Sequence, residues 1–247
     1  MLRTIVGVLF CLFWVKNGFG NTTPAKLTIK HVVRNFYVYT TYHLYEKQLI
    51  PAHGMYLVTD SGVLLLDTPW DSTQFQPLLD SIQIKHGQQV KWCIATHWHS
   101  DRTDGLDYYR QQGIKTYTTV LTDDFCRKNN QKRASYLMTK DTLFQIGSTS
   151  FEVYYPGGGH TEDNIVVWFG KEKILYGGCL IKGAEAKDLG YLGDANVAEY
   201  ANTLRRVQKR FPRPKWILVS HHDWTNNHSL AHSIQLAKQL KKQHPRS

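Results

Sequence analysis

Apolar and polar positions divide this chain into short extended segments and amphipathic stretches. In the first half, Lys26–Val33, Phe36–Thr41, Met55–Thr59 and Val63–Asp67 carry the β-branched and aromatic residues of strands, and Asp60-Ser61-Gly62 supplies a hairpin turn between the last two. A helix is expected after Pro77, and Val90–Thr96 reads as a buried strand. After Asp104-Gly105 a helical stretch runs to near Gly113, then Lys115–Thr118 is short and extended. The second half repeats the alternation. Phe151–Tyr155, Ile165–Phe169, Lys173–Tyr176 and Trp216–Ser220 read as strands, Val197–Arg210 as an amphipathic helix and Ser229–Gln243 as the closing helix. No repeat, low-complexity tract or Pro/Ser-rich linker interrupts residues 21–247, so one α/β domain is expected there.

The first twenty residues follow a different pattern. Arg3 gives a positive start, Ile5 to Val15 is nearly all apolar, and Gly18 and Gly20 place small residues where a signal peptidase reads. Residues 1–20 are therefore expected to be a cleaved secretory signal peptide, and the address of the mature chain the periplasm. The apolar run is short for a membrane span, so no membrane anchor is expected. Loss of Arg3 and Lys16 lowers the formal charge from +10 to about +8. The remaining cations are scattered, with their densest cluster at Lys238-Gln-Leu-Lys-Lys242, which suits a solvated helix face better than a nucleic-acid surface. Beyond residue 20 only Cys93, Cys126 and Cys179 remain. An odd number of cysteines in an oxidising compartment argues against a disulfide framework and leaves at least one thiol for another task.

Candidate chemistry collects where strands end. Ile94-Ala-Thr-His97-Trp98-His99-Ser100-Asp101-Arg102 sets three metal-ligand types at alternate positions, which extended backbone turns toward one side. Pro156-Gly157-Gly158-Gly159 precedes His160, Gly177-Gly178 precedes Cys179, and Leu218-Val219-Ser220 precedes His221. His97, His99 and His160 would give three nitrogen ligands to one zinc, and Asp101, Cys179 and His221 oxygen, sulfur and nitrogen to a second. Both sets suit Zn²⁺ and leave room for water, as catalytic sites do. Other histidines, such as His31, His43 and His86, are treated as ordinary surface or core residues.

The order His-x-His-x-Asp-Arg, Gly-His-Thr-x-Asp-Asn, Gly-Gly-Cys-x-x-Lys and a strand-ending histidine resembles the metallo-β-lactamases, in the dinuclear subclass with a cysteine ligand. The look is closest to chromosomal enzymes of flavobacterial relatives, and the resemblance spans nearly all of residues 26–243. Leu57 to Trp70, Tyr154-Tyr-Pro-Gly, Val166-Val-Trp-Phe and Asp188-Leu-Gly-Tyr-Leu-Gly193 extend it. It implies an αββα sandwich, two mixed β-sheets flanked by helices, across residues 21–247. It implies two Zn²⁺ per chain and hydrolysis of the β-lactam amide of penicillins, cephalosporins and carbapenems by a metal-bound hydroxide, conferring antibiotic resistance. Lys182 would grip the substrate carboxylate, Asp101 orient water or relay its proton, and Asn196 stand beside the β-lactam carbonyl. Arg102 would support the second metal from behind, and Tyr42–Ile50 would form a flap over the substrate. The expected partner is a small molecule, with no nucleic acid, and the expected state a monomer.

Two features depart from the family pattern. Ser220-His221-His222 stands where a Gly-His pair is usual, so either histidine could be the last ligand, with ungapped alignment from Trp216 favouring His221. Pro51-Ala-His-Gly54 replaces the usual hinge ahead of the Met55 strand. Hydrolases of thioesters, lactones or phosphodiesters on the same fold are the alternative, although they typically follow the Asp with His, where this chain has Arg102, and bridge the metals with a later Asp. A secreted zinc protein without catalysis would need neither Lys182 nor a flap.

Overall fold

Strand-forming residues with both faces apolar need cover on both sides, and the fold supplies it with a second sheet on one face and helices on the other. A computed structural model describes residues 27–139 and 141–243; the expected signal peptide, 1–20, lies outside them. The first sheet has seven strands in chain order: β1 (Thr28–Val33), β2 (Phe36–Tyr45), β3 (Gln48–Thr59), β4 (Gly62–Leu66), β5 (Val90–Ile94), β6 (Lys115–Thr119) and β7 (Tyr136–Met138). β1 to β4 pair antiparallel, and β4 to β7 parallel. The second sheet runs in the order β12 (Trp216–Val219), β11 (Ile174–Gly178), β10 (Val166–Phe169), β9 (Thr149–Tyr154) and β8 (Thr142–Ile146), antiparallel except between β11 and β12.

β4 shows how the sequence divides its burial. Every residue of Gly62-Val-Leu-Leu-Leu66 is buried, with alternate side chains in different cores. Leu64 and Leu66 join Phe36, Val38, Met55 and Leu57 against Phe151, Val167 and Phe169 of the second sheet. Val63 and Leu65 face outward, onto Phe75, Leu78 and Ile82 of α1 (Phe75–His86) and onto Leu106 and Tyr109 of α3 (Leu106–Gln111). Each such side chain contributes roughly 1.5–3 kcal/mol on leaving water. Beyond the second sheet, α5 (Val197–Arg210) brings Tyr200, Leu204 and Val207 to the core, and α6 (Ser229–Gln243) brings Leu230, Ile234 and Ala237. The result is the expected αββα sandwich of two mixed sheets. Lys238, Lys241 and Lys242 are exposed on α6, and no helix among the described residues is long and apolar enough to cross a membrane.

The Tyr42–Ile50 segment is more ordered than a loop. β2 and β3 continue as a paired hairpin to Tyr45↔Gln48, closed by Glu46 and Lys47 with φ of 47° and 64°. Two positive φ values are the turn that matches strand twist, and Tyr, Thr and Leu on either side favour extension over coil. α2 (Ser100–Thr103) is a single turn carrying Asp101 and Arg102, and α4 (Val120–Lys128), β7 and β8 had no sequence signal strong enough to place them.

Candidate functional site

Strand ends of both sheets meet at one edge of the sandwich. β5 stops at Ile94 and β11 at Gly178, with β12 beside it, and main-chain bonds tie the segments that follow. Asp67 N–H donates to the Ile94 carbonyl (2.8 Å), Ile165 to Thr96 (2.9 Å), Ser220 to Gly178 (3.1 Å) and His53 to Ser220 (2.7 Å). Gly178, at φ 53°, lies so close to Thr96 that an added Cβ would stand 3.0 Å from its Oγ1, which is why the chain ahead of Cys179 requires glycine.

Within this frame His97, His99 and His160 form a triangle of rings with centroids 4.8–5.0 Å apart, each pair near perpendicular. His97 Nε2 lies 3.2 Å from His99 Nδ1. On the other side Asp101 Oδ2 lies 3.5 Å from Cys179 Sγ and 3.1 Å from His221 Nε2. Three overlapping sets emerge, His97–His99–Asp101, His97–His160–Cys179 and Asp101–Cys179–His221, and within each set the ligand atoms fall inside 4.8 Å of one another. Burial pushes the His97 and His160 imidazoles well below their ordinary value, so both are neutral and carry a lone pair. Electron-pair donors aimed at each other, nitrogen at nitrogen and sulfur beside carboxylate, are what a shared cation would reconcile, and nitrogen, oxygen and sulfur together fit Zn²⁺. His222 stands outside these sets.

Two of these histidines, His99 and His221, are oriented from behind. His99 Nε2 meets Asp194 Oδ2 at 3.0 Å, which fixes the hydrogen there and turns Nδ1 inward. His221 Nδ1 donates to the Pro51 carbonyl at 2.8 Å, turning Nε2 toward Asp101. Burial would lower the His221 imidazole, but its hydrogen bonds with Asp101 and Cys179 raise it to about 9. Asp194 was missed in the sequence, where Gly193-Asp-Ala-Asn carries no ligand signal; only the fold brings it to His99.

Beneath the donors lies a buried ionic group. Arg102, about 1% exposed, donates from Nε (3.0 Å) and Nη2 (2.9 Å) to Asp101 Oδ2, and from Nη1 to the His53 carbonyl (2.9 Å) and Asp67 Oδ2 (3.4 Å). Burial alone would raise the Asp101 carboxyl, yet the guanidinium and His221 outweigh it and hold it well below the usual carboxylate range. Asp67, at φ 63°, accepts from Thr96 N–H (2.7 Å), Thr96 Oγ1 (3.1 Å) and Tyr176 OH (2.7 Å). It therefore fixes the residue before His97 rather than a ligand directly.

Lys182 is buried beside these donors; burial pushes its ammonium down, and Cys179 and Asp101 oppose that. Its main chain is pinned to α6 through Ser233 Oγ. Asn196 opens α5. Its Oδ1 caps α5 by accepting from Glu199 N–H (3.0 Å), and its Nδ2 donates to Glu162 Oε1 (2.8 Å), so both ends of the carboxamide are engaged. At the hairpin tip Leu44, Tyr45 and Leu49 are exposed, while His43 stacks on Trp70 at 4.4 Å. Gln74 bonds both Tyr42 N–H (3.0 Å) and Tyr42 C=O (2.6 Å), pinning the base of the hairpin.

Comparison with known proteins shows the family. The model of the metallo-beta-lactamase superfamily matches residues 52–222. The chain is 42% identical over 220 residues to the metallo-beta-lactamase type 2 of Elizabethkingia meningoseptica, covering 89% of this chain and 88% of that protein. It is 36% identical over 205 residues to metallo-beta-lactamase IND-1 of Chryseobacterium indologenes, covering 83% and 86%. The solved metallo-beta-lactamase from Pontibacter korlensis superimposes with a TM-score of 0.83 at 35% identity, over 86% of this chain and 99% of that one. With the family model across most of the chain and relatives above 30% identity along nearly their full length, this protein belongs to the metallo-β-lactamase superfamily.

Proposed function

We propose that this protein is a zinc-dependent β-lactamase that opens the amide of penicillins, cephalosporins and carbapenems, and so confers resistance to them. The observation that carries the reading is Asp101, which falls both in a set with His97 and His99 and in a set with Cys179 and His221, with the buried cation Lys182 alongside. His97, His99 and His160 would hold one ion, and Asp101, Cys179 and His221 the other. When bound, zinc supplies Lewis acidity that polarises an amide carbonyl and lowers the pKa of water.

The protein's own residues do the rest. Oδ2 of Asp101 is taken up by Arg102 and His221, which leaves Oδ1, 4.0 Å from His97 Nε2, to orient an attacking water. A carboxyl held this far down stays ionised, so it directs the water and passes the proton on rather than keeping it. Lys182 binds the substrate carboxylate by a charge-assisted contact and sets the ring over the donors. The exposed Leu44, Tyr45 and Leu49 cover apolar substituents of the substrate and keep water from it. Asn196, at the N-terminus of α5, would stand beside the β-lactam carbonyl. All six donors come from one chain, so the reading needs no second copy and suits a monomer, and residues 1–20 would direct it to the periplasm.

The test is a substrate panel on purified protein. The reading requires hydrolysis of at least one penicillin, cephalosporin or carbapenem, abolished by EDTA. Activity confined to a thioester, lactone or phosphodiester would assign the site to another hydrolase of this fold.

A further inference from the structure

His53 begins the part of β3 that lies against the end of β12, and it makes contacts to Ser220, His222 and Arg102 of the site. Its main-chain N–H donates to the Ser220 carbonyl at 2.7 Å. Its ring Nε2 stands 3.0 Å from the His222 carbonyl oxygen, so that nitrogen carries the hydrogen, and Nδ1 accepts from Thr40 Oγ1 at 2.9 Å. One residue thus holds both carbonyls that flank His221. The carbonyl of His53 in turn accepts from Arg102 Nη1, the guanidinium that grips Asp101.

His222 shows why such a hold is needed. Its φ is 72°, in the left-handed region that a residue with a Cβ enters at a cost. Left alone it would relax toward ordinary backbone and swing the adjacent His221 away from Asp101. Two contacts oppose this, the His53 ring on its carbonyl and Glu185 Oε1 on the next amide, that of Asp223.

We infer that His53 is a positioning residue for the Cys179–His221 half of the centre, its ring tying down the left-handed His222 so that His221 stays aimed at Asp101. This rests on the metal-binding reading proposed above. The probe is Co²⁺ added to chelator-stripped protein, because thiolate ligation gives a near-ultraviolet charge-transfer band that reports Cys179 alone. His53→Ala should raise the Co²⁺ concentration needed for that band by roughly 10–100-fold, the usual loss when a residue behind a ligand is removed. His53→Gln, whose amide N–H can reach the same carbonyl, should recover most of the affinity. His222→Gly placed on His53→Ala should recover it too, since glycine holds a positive φ unaided. In a Cys179→Ser background, where the three-histidine half remains, His53→Ala should leave Co²⁺ affinity unchanged. A His53→Ala protein that develops the band at wild-type concentrations, or that weakens both halves equally, overturns the inference alone. Absence of the band in the wild type overturns the metal reading and this inference with it.

Discussion

Arg102→Met removes the guanidinium that pairs with two buried carboxylates, Asp101 and Asp67. Lost are two donors to Asp101 Oδ2 at 3.0 and 2.9 Å, the bond to the His53 carbonyl at 2.9 Å and the longer contact to Asp67 at 3.4 Å. Methionine keeps most of the apolar stem, so the loss is chiefly electrostatic. Breaking a buried pair from one side costs about 3–5 kcal/mol, because a charge is stranded. At about 2–4 °C per kcal/mol for a domain of this size, the melting midpoint should fall on the order of 10 °C. The sample is chelator-treated protein, since a bound cation would stand in for the guanidinium at Asp101. The sign with pH follows from Asp101, whose folded carboxyl is held low: its pairing stabilises above the unfolded value of about 3.9 and is lost as pH falls through the folded one. Asp67, already pushed up by burial against Arg102, would rise further in the mutant and cost most at neutral pH. The gap between wild type and mutant should therefore be widest at pH 7 and narrow in acid. Circular-dichroism melts at the two pH values check it. Equal midpoints at pH 7, or a gap that grows in acid, would refute the electrostatic account of Arg102.

Lys182→Ala should raise KM for carboxylate-bearing β-lactams roughly tenfold or more with little change in kcat, since a charge-assisted contact present before the transition state is lost; unaltered KM across a substrate series would remove Lys182 from binding. Asp163 is buried and its carboxyl pushed up to about 6, chiefly by desolvation and against the Thr161 and Thr122 hydroxyls. Its folded value exceeds the unfolded one, so the favourable protonated form is complete below about pH 4 and lost as pH rises through 6, a change on the order of 3 kcal/mol. Denaturant titrations of Asp163→Asn should lack this fall relative to wild type, and parallel pH profiles would contradict it. Gln74→Ala should speed hydrogen exchange at the Tyr42 amide and in the hairpin beyond it, while unchanged protection would show that Gln74 does not pin the flap.

How far the sequence could be read depended on whether a residue's partners lie near it along the chain. His97, His99 and Asp101 stand within five residues at a strand end, and the strands leading to Cys179 and His221 are short apolar runs, so their convergence was legible from pattern and ligand chemistry. Ungapped alignment from Trp216 already favoured His221 over His222; what sets the two apart in the fold, the φ of 72° at His222 and the reach of Pro51, 170 residues away, has no local signature. Asp194 on His99 and His53 across His221 are likewise long-range contacts with no local signature. Asn196 carried a local signal of another kind: Asn-Val-Ala-Glu opening an amphipathic stretch is a helix N-terminus, and the carboxamide caps α5. The hairpin over Glu46-Lys47 hid because neither residue is the Asn or Gly usual in its turn.

Dependence of hydrolysis on metal held by the His97–His221 donors is tested most directly by measuring metal content and turnover of a chromogenic cephalosporin in the same sample during zinc titration of stripped protein. Turnover should be absent without metal and rise in step with binding. Full turnover in protein shown to hold no metal would contradict metal-dependent hydrolysis.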